Sequence, residues 1–234
     1  MSIRLRPTTL IHQVIQTAVM AKDKNEGRDR LLIDATAGRG HDTAFLCGLA
    51  AAKGGRVLAF DIQAAALDST AARLEEGGYS FRREDLAGIR ENPAELLAGG
   101  RAGERSAAAS PEVTDGPSPL CRLILDSHEH LAAYAAPDSA DAVMFNLGYL
   151  PGGDHRLFTR PETSIRAITA ALTILKPGGL VSLGIYHGGD SGDEERDALL
   201  PWLAGLDQKR FTVLRLDFAN WTGDVPIPVF IVKQ

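Results

Sequence analysis

Two glycines one residue apart, Gly38 and Gly40, lie in LLIDATAGRGHDTAFL (residues 31–46), between an apolar run and a polar trio. Leu31, Leu32 and Ile33 read as a strand, the glycines as a tight turn, and Asp42 onward as the start of a helix. A loop with so little side-chain bulk lets a ligand lie against the backbone, and the helix N-terminus behind it offers unpaired N–H groups. It is not a P-loop, because no Gly-Lys-Ser/Thr follows, and Thr43 stands where the dinucleotide fingerprint has its third glycine. Carboxylates recur at the ends of apolar runs. Asp34 closes the run ahead of the glycines, where it can order the loop or meet a ligand's ammonium through water. Asp61 ends the run in VLAFDIQ, 21 residues after Gly40, the spacing of a carboxylate that accepts hydrogen bonds from a ribose diol. Asp126, in LILDSHEH, has two readings: an acceptor for an adenine amino group, or a helix N-cap.

Positioning those groups requires a sheet. An amphipathic helix over about residues 8–22 is followed by alternating signals: RLLIDAT and GRVLAFDI as strands with the helix HDTAFLCGLAAA between them, then the helix QAAALDSTAARLEEGG. CRLILDS and DAVMFNLG give two more strands, TSIRAITAALTILK a helix and GGLVSLGIYH the fifth strand. EERDALLPWLAGL is a helix, and FTVLRLDFA and PIPVFIVKQ close the chain as strands. Strands separated by helices imply an α/β, Rossmann-like, doubly wound and mostly parallel sheet. It has seven strands, with an antiparallel C-terminal edge where two strands follow without a helix. In such a sheet a ligand sits at the carboxyl ends of the strands, near the first, where Gly38 and Gly40 fall. The expectation is one domain over 1–234, with a helical extension at 1–29 and a flexible insertion at 96–120, a stretch rich in Gly, Ala, Ser and Pro.

At 234 residues and 44% apolar composition the chain can bury a core fit for an enzyme. Cys47 and Cys121 lack metal-ligand spacing and imply a reducing compartment without a disulfide framework; no metal is expected. The N-terminal stretch carries Arg4, Arg6, His12 and Gln13 where a signal peptide needs an apolar core. No apolar run is long enough to cross a membrane, so the expected location is cytoplasmic. A net charge of −5 argues against indiscriminate nucleic-acid binding but leaves room for a local basic face. Arg4, Arg6, Arg156, Arg160 and Arg166 are its candidates, against scattered solvated charges.

The run LKPGGLVSLGIY, together with DATAGRGHDT and FDIQ, resembles the corresponding segments of class I S-adenosylmethionine-dependent methyltransferases. FNLGYLPGGDH (residues 145–155) is similar to the Asn/Asp-Pro-Pro-Tyr loops of amino-directed methyltransferases, with Leu147 and Gly148 in place of the prolines. In that loop type the Asn carbonyl accepts hydrogen bonds from the target amine and the aromatic stacks on the base. DATAGRGHDTAFL, AFDIQ, DSHE, FNLGYLPGGDH, IYHGG and LDQ, in this order, resemble the rRNA methylase family, whose characterised members methylate the aminomethyl group of 5-aminomethyl-2-thiouridine at the tRNA wobble position. The chain departs from that pattern in the 96–120 insertion and in the long linker of FANWTGDVPIPVFIVKQ.

The resemblance implies S-adenosylmethionine as methyl donor and tRNA, through its anticodon stem-loop, as partner. It gives Asp34, Gly38, Gly40, Asp42 and Thr43 to the donor loop, Asp61 and Gln63 to the ribose, and Asp126, Ser127 and His128 to the adenine side. Asn146 and Tyr149 fall to the methyl-transfer centre, Asn146 also touching the donor. Tyr149, Gly152, Asp154, Arg156 and Arg160 face the substrate, with Arg166 a further phosphate candidate. An alkylamine must lose a proton before it attacks, and His187, Asp154 and His155 are candidate acceptors; desolvation that lowers the amine pKa is the alternative. His187 can equally make a structural bond at a strand end, His41 orders the glycine loop or borders the donor, and Tyr186 is either core or site. Family members are often dimeric, which makes the N-terminal helix a candidate homodimer surface. Competing functions are methylation of rRNA or a small amine, a non-catalytic S-adenosylmethionine-binding module, and a nicotinamide oxidoreductase, which Thr43 disfavours.

Overall fold

Every residue of strand β1, Arg30–Asp34, is buried. Its apolar side chains alternate between two cores, Leu31 and Ile33 on one face and Leu32 on the other, as the two-residue period of a central strand covered on both sides requires. The computed structural model describes residues 6–21, 30–84, 118–148, 159–188 and 192–234. Around β1 the strands are β2 (Gly55–Asp61), β3 (Phe81–Glu84), β4 (Cys121–Leu125), β5 (Ala140–Leu147), β6 (Leu175–Ile185), β7 (Phe211–Arg215) and β8 (Ile227–Lys233). They form one sheet in the order β3-β4-β2-β1-β5-β6-β8-β7. All neighbours are parallel except β8, which is antiparallel to both β6 and β7.

Eight strands stand where the sequence suggests seven. The additional one, β3, is the edge strand FRRE, whose three charged residues hide the apolar alternation. Charge on an edge strand opposes pairing with another chain, and Glu84 accepts Arg122 Nε–H of β4 at 2.8 Å.

Helices α1 (Pro7–Ala21), α2 (His41–Lys53) and α3 (Ala64–Glu76) cover one face; α4 (Leu131–Tyr134), α5 (Pro161–Ile174) and α6 (Gly192–Ala204) cover the other. In α1, Ile11, Ile15 and Val19 recur every fourth residue and are buried. That stripe docks the helix against β5, β6, β8 and α2. At the entry to β6, Ala140 pairs with Leu175 and Ala142 with Leu180; residues 176–179, the Lys-Pro-Gly-Gly turn, bulge out between them. Gly178 takes φ +72° there, and Lys176 Nζ donates to Asp141 Oδ2 at 2.7 Å.

No helix among the described residues is long and apolar enough to cross a membrane. The insertion at 96–120 lies outside the described residues up to position 117.

Candidate active site

Because β2 and β5 flank β1 on opposite sides, the chain leaves a crevice above the carboxyl end of β1. A cavity of about 640 Å³ opens there, within the size range of small-molecule sites. The loop after β1 is pinned to both neighbours: Ala35 N–H donates to Met144 O at 2.9 Å and Ala37 N–H to Phe60 O at 2.8 Å. Thr36 Oγ1 accepts Asn146 N–H at 2.7 Å, tying the loop to the end of β5.

The two glycines have different tasks. Gly38, with φ +53°, lines the cavity, and its N–H donates to Asp61 Oδ2 at 2.9 Å. Gly40 lies outside the cavity wall. It has φ +76° and faces α3 so closely that a Cβ would stand 2.7 Å from Thr70 Cα. Its bareness therefore serves helix packing. Gly40→Ala is expected to cost ~2 kcal/mol or more, from left-handed strain plus the clash. Thermal unfolding would show this as a midpoint several degrees lower, at ~2–4 °C per kcal/mol. An unchanged midpoint with lost ligand binding would give Gly40 to the ligand instead.

Asp34 and Thr43 also lie beneath the loop rather than in the cavity wall. Asp34 is fully buried, accepting Thr43 Oγ1–H at 2.6 Å and Thr36 N–H at 3.1 Å. Burial, reinforced by the negative charge of Asp42, pushes its carboxyl up to about 7. Of its two sequence roles, the geometry shows the one that orders the loop. Asp61, Gln63, Asp126, Ser127 and His128 all line the cavity. Asp61 Oδ1 accepts Gln63 N–H at 2.9 Å; burial raises the Asp61 carboxyl above the ordinary range although backbone N–H groups oppose this. Asp126 accepts Ser127 N–H at 2.7 Å, His130 Nδ1–H at 2.9 Å and Tyr134 Oη–H at 2.8 Å. Burial works against ionisation there, yet those bonds hold its carboxyl below the usual range. Ser127, not Asp126, caps the short turn His128–His130. His128 Nδ1 lies 3.3 Å from Ala35 O, and burial lowers its imidazole.

At the other end of the cavity, Asp42 in the first turn of α2 lies between two side chains. Its Oδ2 accepts Asn146 Nδ2–H, and its Oδ1 pairs with His12 Nε2 of α1 at 2.5 Å. The His12 ring stacks on Phe45 with centroids 3.9 Å apart. Tyr186, 41% exposed, lines the cavity together with Thr8 of α1. Burial, then the charge of Asp42, raises its phenol. Thr8 and His12 are the participants that sequence reasoning missed; of the two readings of Tyr186, core or site, the structure puts it on the cavity wall. Positions 8 and 12 share a helix face, but nothing in their spacing says what that face meets.

His187 lies outside the cavity wall; its Nε2–H donates to Val225 O at 2.8 Å, the structural bond at the strand end. His41 lines the cavity and accepts from Arg73 Nη2 at 3.2 Å, while Arg73 Nε donates to Arg39 O at 2.8 Å, which orders the glycine loop. Arg160 lines the cavity at the start of α5. Arg166 donates to Glu129 Oε2 at 2.6 Å. Arg4, Tyr149, Gly152, Asp154, His155 and Arg156 lie outside the described residues. No cluster of three or more metal-ligating side chains occurs among the described residues.

Comparison with known proteins places this geometry. The family model described as "Putative rRNA methylase" matches residues 106–232. A chloroplastic tRNA (mnm(5)s(2)U34)-methyltransferase of Arabidopsis thaliana is 28% identical over 237 residues, covering 99% of this chain and 70% of the relative. A solved structure from Clostridium thermocellum, described as a "putative rRNA-methylase", is 35% identical over the whole of both chains with a TM-score of 0.73. A "putative methyltransferase" from Streptococcus mutans, solved in complex with SAH, is 28% identical over 99% of this chain and 100% of the other, with a TM-score of 0.70. The chain with the bare loop over β1 and the Asp42-bound Asn146 belongs to the rRNA methylase family and has the class I methyltransferase fold.

Proposed function

We propose that this methyltransferase transfers a methyl group from S-adenosylmethionine to the aminomethyl nitrogen of 5-aminomethyl-2-thiouridine at the tRNA wobble position. The observation that carries the reading is the state of Asn146. Its amide nitrogen is occupied by Asp42, and its Oδ1 accepts no hydrogen bond among the described residues, so the carbonyl end remains for an amine N–H. The Arabidopsis relative's activity on U34 supports the substrate, and SAH in the Streptococcus mutans relative supports the donor.

The residues present fit that donor. Asp61 puts a carboxylate with unused lone pairs at the ribose position, beside Gln63. Gly38 leaves the backbone bare where the methionine end would lie, and Ser127 and His128 face the adenine side. Bound there, S-adenosylmethionine supplies an electrophilic methyl group on a sulfonium. Asn146 then holds the attacking nitrogen with its lone pair opposite the sulfur; positioning of this kind supplies much of a methyl-transfer rate. Tyr149, Gly152 and Asp154 complete the base pocket in this reading, and Arg156 and Arg160 contact phosphates, which position RNA while the pocket selects the base.

Asp61→Ala is expected to weaken donor binding ~10–100-fold, because a charge-assisted hydrogen bond contributes ~1.5–3 kcal/mol and the Gly38 anchor is lost too. Calorimetric titration checks this, and unchanged affinity would move the ribose elsewhere. The function itself is tested by offering labelled donor separately to tRNA lacking wobble N-methylation, to rRNA and to small amines. Incorporation confined to the tRNA is the expected result. Labelled rRNA or amine with unlabelled tRNA would replace the substrate, and donor binding without any transfer would indicate a non-catalytic binder.

A further inference from the structure

We infer that His12 of α1 is a positioning residue for methyl transfer, acting through Asp42 on the amide of Asn146; this rests on the reading of Asn146 as the residue that holds the attacking amine. An asparagine amide has two ends of similar shape and opposite hydrogen-bonding sense. If it turned over, it would offer N–H groups to an amine that also needs to donate, and the nucleophile would be misaligned. Two contacts prevent this, and a bare neighbouring strand makes room for the side chain. Asp42 is nearly buried and, as a carboxylate, accepts only, so it binds the Nδ2 end. On the neighbouring strand, Gly184 pairs with Asn146 and lacks the Cβ that would stand 2.8 Å from Oδ1, leaving room for the carbonyl end. His12 Nε2 holds the second oxygen of Asp42 at 2.5 Å, which stops the carboxylate from rotating away.

His12 is itself built to stay in place. Its ring stacks on Phe45, the two planes within 3° of parallel, and α1 is seated by Ile11 and Ile15, which are 3% and 0% exposed. The same helix reaches the cavity again through Thr8, which lines it together with Tyr186. Residues one helical turn apart, Thr8 and His12, thus meet the site from one helix face. Sequence elements at positions 12, 42 and 146 are joined in one chain of hydrogen bonds whose last member is the amide.

The test uses the full-length protein with tRNA bearing 5-aminomethyl-2-thiouridine, S-adenosylmethionine, and the variants His12→Ala and His12→Gln, each also combined with Asn146→Ala. His12→Ala is expected to lower the single-turnover rate ~10-fold or more by letting the amide turn, with the donor Kd changed by less than ~3-fold. His12→Gln, which keeps an N–H donor at similar reach, should restore most of the rate. In the Asn146→Ala background His12→Ala should have no further effect, because nothing remains to be positioned. A normal rate for His12→Ala, or an equal loss in both backgrounds, overturns the inference and leaves the role of Asn146 standing. If Asn146→Ala itself turns over normally, the reading of the site falls and the inference with it. The side-chain amide resonances of Asn146 give a readout that needs no RNA. They should be protected in the wild type and exchange faster in His12→Ala, and identical spectra would overturn the clamp even if this tRNA were not the substrate.

Discussion

Asn146→Ala is expected to lower methyl transfer ~100-fold or more while the donor Kd changes by less than ~3-fold, since a reacting atom misplaced by about 1 Å already costs that much. The reason is local. The side chain ends β5 opposite Gly184, its amide is oriented by Asp42, and its backbone N–H is already satisfied by Thr36 Oγ1 at 2.7 Å. Truncation therefore leaves the strand and the glycine loop in place, and removes the group offered to the amine together with its bond to Asp42. Stopped-flow or quench kinetics with labelled donor, paired with calorimetry, separate the two effects. Near-normal turnover would show that this loop end does not hold the nucleophile, whereas a parallel loss of donor affinity would make Asn146 chiefly a donor contact.

Asp34→Asn is expected to change how stability depends on pH. The wild-type carboxyl titrates at about 7, from an ordinary value of 3.8, because burial and the nearby Asp42 charge disfavour its anion. A raised folded-state value means that the native protein binds this proton more tightly than the unfolded chain. The associated stability is present in full below pH ~4 and is lost as pH rises through about 7. Asparagine keeps the acceptor for Thr36 N–H and can donate to Thr43 Oγ1, without a charge to bury. The stability of Asp34→Asn relative to wild type should therefore rise between pH 4 and 7, by up to ~4 kcal/mol at 1.36 kcal/mol per pH unit. Denaturant unfolding across that range checks it. Two parallel curves would mean that Asp34 is ionised throughout, with its charge compensated by the loop.

The sheet and its loop were legible in the sequence because their signals are local. The apolar run of β1, the G-x-G turn, the carboxylate at the end of β2 and the Lys-Pro-Gly-Gly turn each carry their own physical signature over a few residues, and those elements form as expected. Edge strand β3 was not legible, since Phe81 is followed by Arg82, Arg83 and Glu84 and its partner lies across the long insertion. The packing role of Gly40 was not legible for a related reason: the atom that forbids its Cβ is Thr70 Cα on another helix, 30 positions along the chain. The same holds for His12. Its pairing with Asp42 joins residues of two helices, and helical spacing identified a face of α1 without naming its neighbour. What a sequence pattern conveys is which groups could do chemistry; which of them share a wall is decided by packing. Asp34 and Thr43 show the converse, as they satisfy each other under the loop and so contribute to the site through its shape.

The proposed reaction adds a methyl group to the exocyclic aminomethyl nitrogen of a wobble uridine. Its most direct test is nucleoside mass spectrometry of tRNA from a strain lacking that methylation, after incubation with the protein and S-adenosylmethionine. We expect 5-aminomethyl-2-thiouridine to be converted to 5-methylaminomethyl-2-thiouridine, with the wild type active and Asn146→Ala nearly silent. A methyl group on another nucleoside, or an unchanged 5-aminomethyl-2-thiouridine peak despite bound donor, would contradict it.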